Sequence, residues 1–84
     1  MEKSIYTREY GAMLRVLRQA RKDAGLTQVQ LAKKLRLTQS FVTKVECGDR
    51  RLDVIQLRTI CRLFGMSLRD FVDRLEAELS AEEK

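Results

Sequence analysis

Between Leu26 and Gly48 the sequence LTQVQLAKKLRLTQSFVTKVECG starts a helix twice, Thr38 following Thr27 after only eleven residues. Each threonine is a helix N-cap residue, whose side-chain oxygen takes one of the amide protons a helix leaves unpaired at its start. The signal recurs down the chain. Thr27 is followed three residues later by Gln30, Asp53 by Gln56 and Ser67 by Asp70, polar partners that reach back to the cap amide, whereas Thr38 has Phe41 at that position. The residue before each cap and the residue four after it are apolar: Leu26 with Leu31, Leu37 with Val42, Leu52 with Leu57, Met66 with Phe71. Such a pair staples the entering chain onto the first turn. The stops agree, because Gly25, Gly48 and Gly65 each fall just past an apolar-periodic stretch, where a left-handed residue ends a helix. Upstream, Tyr10, Met13, Leu14, Leu17, Ala20 and Ala24 recur at helical spacing. The pattern predicts an all-α chain of five helices, about 8–24, 28–35, 39–47, 54–64 and 68–79, with no strand.

A chain of 84 residues has room for one small domain, which buries only about 60–65% of its unfolded surface. The expected organisation is a single domain over residues 1–84, with a core at about 8–75 and an acidic extension at 76–84. The charge divides along that boundary. The net charge is +5, but residues 1–75 hold 16 basic and 8 acidic side chains, a net of +8, so an anionic partner is favoured. No run reaches the roughly 18 apolar residues of a membrane span, and MEKSIYTREY lacks a signal-peptide core. The chain reads as cytoplasmic, with no membrane association. Cys47 and Cys61 lie 14 residues apart with no CxxC and no histidine, which argues against a zinc site or a disulfide framework. No metal or cofactor is expected, and with no glycine-rich phosphate loop and no carboxylate pair in a predicted cleft, no enzyme.

Helix 28–35 is about two turns long, too short to persist alone, and it ends where Arg36-Leu37 turns the chain into the next helix. Two such helices survive by packing on each other, with Ala32 allowing close approach and Leu31, Leu35, Leu37, Val42 and Val45 supplying apolar positions. This is a helix-turn-helix.

The residues Gly25-Leu26-Thr27-Gln28, Leu31-Ala32, Leu37-Thr38-Gln39-Ser40, Val42, Val45, Glu46 and Gly48, then Arg50-Arg51-Leu52-Asp53, resemble the Cro and phage-repressor type of DNA-binding domain, the xenobiotic-response-element family of prokaryotes and phages. The likeness covers about residues 8–75 and implies a compact five-helix, lambda-repressor-like domain. Arg36 departs from it, standing where the family usually has a turn glycine.

The resemblance makes 39–47 the recognition helix. With Val42 and Val45 inward, Ser40, Thr43, Lys44 and Cys47 point away and Gln39 sits exposed at the start. Glutamine pairs with an adenine edge, lysine donates to guanine O6 or N7, and the Thr43 methyl suits a thymine methyl. Gln39, Ser40, Thr43 and Lys44 are the candidate base contacts. Gln28, at the positive start of its helix, is a candidate phosphate contact, as are Arg50 and Arg51 in the loop the family lays along the backbone. Glu46 is an anion where the helix dipole disfavours one. The resemblance supplies its cation, Arg21, as a structural ion pair.

Leu68, Phe71, Val72, Leu75 and Leu79 form a stripe, of which the first three suffice to close the core. Leu75 and Leu79 are left as a candidate dimerisation surface. Cys61 reads as a buried small hydrophobe and Cys47 as an incidental exposed thiol. Two functions stay open. One is a sequence-specific regulator, a repressor, that binds palindromic double-stranded DNA as a homodimer. The other is an antitoxin-like interaction module that masks a toxin partner and autoregulates its operon. The length suggests a small stand-alone family member.

Overall fold

The computed structural model describes residues 7–82, carried by α1 (Arg8–Asp23), α2 (Gln28–Leu35), α3 (Gln39–Cys47), α4 (Val54–Leu63) and α5 (Leu68–Glu82). Residues 1–6, 83 and 84, and so the last charges of the acidic extension, lie outside the described residues. There is no strand among the described residues, and no helix there is long and apolar enough to cross a membrane.

The helices begin where their caps stand. Thr27 Oγ1 accepts from the Gln30 amide at 3.1 Å while Gln30 Oε1 accepts from the Thr27 amide at 2.9 Å. Asp53 with Gln56 and Ser67 with Asp70 form the same reciprocal pairs. Thr38 accepts from the Phe41 amide at 3.1 Å without a return bond, because a phenyl ring has no acceptor to offer. Thr7 caps α1 in the same one-way manner, through the Tyr10 amide.

The turn between α2 and α3 is made by Arg36 at φ 60°, ψ 39°, the one non-glycine with positive φ among the described residues. The left-handed residue sends the Leu37 amide back to the Ala32 carbonyl at 2.9 Å, closing α2 and aiming α3 across it. Geometry here overrides propensity.

The core draws on every helix: Val16 and Leu17 of α1, Leu31 and Ala32 of α2, Val42 and Val45 of α3, Ile60 and Cys61 of α4, and Phe71 of α5. Two expected core members are outside it. Leu37 is 48% exposed, since the turn places it on the surface, and Val72 is 44% exposed, about 100° around α5 from the buried Phe71. The far end of α5 lies along α1, joined by Arg15–Glu78 at 2.9 Å and Arg74–Asp23 at 3.2 Å. Exposed pairs of this kind contribute about 0–1 kcal/mol each, so they set direction more than stability. Leu75 and Leu79 are half-buried on this stretch.

Two outcomes are expected. Arg36→Gly removes the strain of a side chain in left-handed backbone and stabilises the fold by about 1 kcal/mol, read as a rise of several degrees in Tm. Cys61 is 0% exposed, and burial pushes its thiol pKa up to about 11. The unfolded chain therefore ionises first. Stability is full below about pH 9 and falls as pH rises toward 11, by on the order of 2 kcal/mol. Denaturant melts of Cys61→Ala over that range should lack this component of the alkaline decline.

Candidate nucleic-acid interface

The arrangement of α3 is set from behind, by a carboxylate. Glu46 is in the last turn of α3 and only 3% exposed. An unpaired charge at that depth is costly, so its partners decide the local geometry. Arg21 on α1 reaches it as a fork, Nε to Oε2 at 2.8 Å and Nη2 to Oε1 at 3.2 Å. The remaining Nη1 donates to the Leu26 carbonyl at 2.8 Å, in the loop leading to α2. One guanidinium thus fastens α3 and the entry to α2 onto α1.

Two further residues join this network. Arg18, one turn before Arg21, donates Nη1 to the backbone carbonyl of Glu46 at 2.9 Å, satisfying one of the acceptors left open at a helix end. Gln28, the first residue of α2, donates Nε2 to Glu46 Oε1 at 3.0 Å and accepts from Thr43 Oγ1 at 2.7 Å. The Gln28 side chain, a candidate phosphate contact, is half-buried and bonded inward to Glu46 and Thr43, because a buried carboxylate is a stronger competitor for its amide than solvent. The start of α2 also carries the positive end of its helix dipole, a setting that favours anions. Sequence reasoning missed Arg18 and the inward role of Gln28. The i, i+3 spacing of Arg18 and Arg21 was the available signal.

On the opposite side of α3, Gln39, Ser40 and Lys44 are exposed, as is Cys47 at its end. Thr43, expected on that face, is half-buried with its hydroxyl engaged. Three of the four candidate base contacts are therefore exposed, and the fourth, on the same face, is half-buried. Arg50 and Arg51 are exposed in the loop after α3, and each guanidinium lies over a ring, Arg50 over Phe41 at 4.8 Å and Arg51 over Tyr10 at 4.7 Å from the ring centroid. Stacking of this kind contributes about 0.5–1 kcal/mol at an exposed site, and it restrains two long side chains while leaving them charged. Lys33, Lys34 and Arg36 extend the basic surface along α2 and the turn.

The elements that make this surface are those of a known family. A helix-turn-helix family model matches residues 17–71, from the middle of α1 to the start of α5. The chain belongs to the Cro/C1-type helix-turn-helix family. This family comprises DNA-binding transcriptional regulators. Over 78 residues, 92% of this chain, the sequence is 41% identical to the HTH-type transcriptional regulator PrpR of Mycobacterium tuberculosis (strain ATCC 25618 / H37Rv). The matched part spans 15% of that regulator's length. An XRE-family like protein from Pseudomonas syringae pv. tomato str. DC3000 has the same fold, with a TM-score of 0.78 and 44% identity over 89% of this chain and 92% of that one. In this family setting α2 and α3 are the helix-turn-helix.

Removing one partner from the buried pair leaves an uncompensated charge, which costs about 3–5 kcal/mol. Arg21→Ala is expected to melt far below wild type, while the molecules still folded at low temperature keep their affinity for DNA. An Arg21→Ala protein that melts like wild type yet fails to bind would assign this guanidinium to DNA.

Proposed function

We propose that this chain is a sequence-specific transcriptional repressor that binds a palindromic operator as a dimer, reading bases with α3. The observation that carries this reading is the two-sided character of α3. Its inner side, Val42, Val45 and Glu46, is buried and fixed in place, and its outer side presents Gln39, Ser40 and Lys44. These are polar side chains of graded reach, none of them anionic, on a helix held at a defined angle. Rigid presentation of hydrogen-bonding groups is what base readout in a major groove requires.

Phosphate contacts are assigned to Arg50, Arg51 and the backbone amides at the start of α2. They position the protein on the duplex without selecting sequence. One recognition helix reads only a few base pairs, so a second copy, bound about 34 Å away in the next turn of the major groove, multiplies specificity. The dimer contact is assigned to the α5 stripe of Leu75 and Leu79, continued by the exposed Val72. A repressor of this kind acts where its DNA lies, in the cytoplasm.

The test is a titration against upstream DNA and random duplex at two salt concentrations, with stoichiometry read by ultracentrifugation. Two chains per operator are expected. Lys44→Ala and Gln39→Ala each cost about 1–3 kcal/mol at the operator and relax base preference, whereas Arg51→Ala weakens all sequences alike and flattens the salt slope by about one. Equal losses on operator and random DNA for all three variants would remove α3 as the reading element.

A further inference from the structure

The contacts behind α3 fix more than its angle. Followed atom by atom from the buried end, they leave no choice of donor and acceptor. Arg21 donates two hydrogen bonds to the Glu46 carboxylate, one to each oxygen, and both oxygens of this ion pair are acceptors with only lone pairs to offer another neighbour. The Gln28 amide must then present its NH2 to Glu46 Oε1, at 3.0 Å, because its carbonyl there would set two acceptors against each other. That orientation turns Gln28 Oε1 toward Thr43, 2.7 Å from Oγ1. A carbonyl cannot donate, so the Thr43 hydroxyl gives its one proton to Gln28. Only its lone pairs remain for any further partner.

We infer that Gln28 is a positioning residue that fixes the hydrogen-bonding polarity of Thr43, making it acceptor-only on the recognition helix. In the major groove the base edges that donate are adenine N6 and cytosine N4, while guanine O6 and N7 and thymine O4 only accept. Thr43 therefore selects a base bearing an exocyclic amino group at the position it meets and disfavours the keto bases. An unrestrained threonine rotates its hydroxyl and accepts either class. The selectivity arises outside α3, from a residue of α2 that need not touch a base. It rests on the proposed reading of DNA by α3, and adds which chemistry one position of that helix accepts.

The experiment is selection of bound sites from a duplex library with randomised half-sites, using wild type, Gln28→Leu, Thr43→Val and Thr43→Ser. Wild type should select adenine or cytosine at one half-site position by about tenfold, the factor corresponding to one hydrogen bond of about 1.4 kcal/mol. Thr43→Ser keeps the hydroxyl and should keep this preference. Thr43→Val should abolish it, and Gln28→Leu should relax it to admit guanine or thymine at that same position while the positions read by Gln39 and Lys44 stay selected. Should Gln28→Leu weaken every sequence equally, Gln28 is a phosphate contact and the inference is wrong. It is equally wrong if Thr43→Val alters no position, or if Gln28→Leu leaves the Thr43 position selective. Loss of all selection by wild type would overturn the proposed function, and this inference with it. A DNA-free arm covers variants that fold poorly. In 15N-labelled protein, Thr43→Val should shift the Gln28 side-chain amide resonances and Thr43→Ser should not, and unmoved resonances in Thr43→Val would overturn the hydrogen bond itself.

Discussion

A single buried carboxylate organises this domain. Glu46 is an acid at the wrong end of a helix, deep enough that its charge must be answered by neighbours, and the neighbours come from two other helices. Arg21 and Arg18 approach from α1 and Gln28 from the first turn of α2. The hydrophobic core explains why α1, α2 and α3 are together, since Leu17, Leu31, Val42 and Val45 gain nothing in any exposed arrangement. Apolar contacts are non-directional, however, and by themselves would tolerate small rotations of α3. The forked ion pair and its attached amide are directional, and they hold α3 at one angle.

The same network separates the work of neighbouring residues. Residues that look alike in sequence, such as the polar side chains of α2 and α3, fall on two sides of a boundary. Gln39, Ser40 and Lys44 face solvent with their groups available, whereas the Gln28 amide is bonded to Glu46 and to Thr43, whose hydroxyl proton is committed to Gln28 while its lone pairs stay open. The basic character divides too. Arg21 is consumed internally, while Arg50 and Arg51 rest on aromatic rings with their charge exposed. Net charge alone would have counted all three as equal contributors to an anion-binding face. Only the last two carry their charge at the surface.

The helix starts were legible from sequence because capping is local: Thr27 with Gln30 and Asp53 with Gln56 bond across three residues, and no distant contact is needed to specify them. The helix ends were legible to within a residue for α1 and α4, and less so for α5. That helix runs to Glu82 because its last turns are supported along α1, a contact between residues 63 positions apart at Arg15 and Glu78. Leu37 and Val72 were misplaced as core for a related reason. Apolar character and spacing give a stripe, but the width of stripe that is covered depends on the neighbour that covers it.

The sequence by itself determined the five helices and the face of α3 that carries Gln39, Ser40 and Lys44, while family likeness supplied the pairing of Arg21 with Glu46. Local hydrogen bonds, side-chain period and charge are properties of neighbours in the chain, and so they can be read from it. Tertiary structure alone decided that Gln28 bonds Glu46, that the Thr43 hydroxyl donates to Gln28, and that Arg18 reaches the end of α3. These contacts join residues 15 to 28 positions apart. A polar side chain takes the strongest partner within reach, and what lies within reach is known only once the helices have packed.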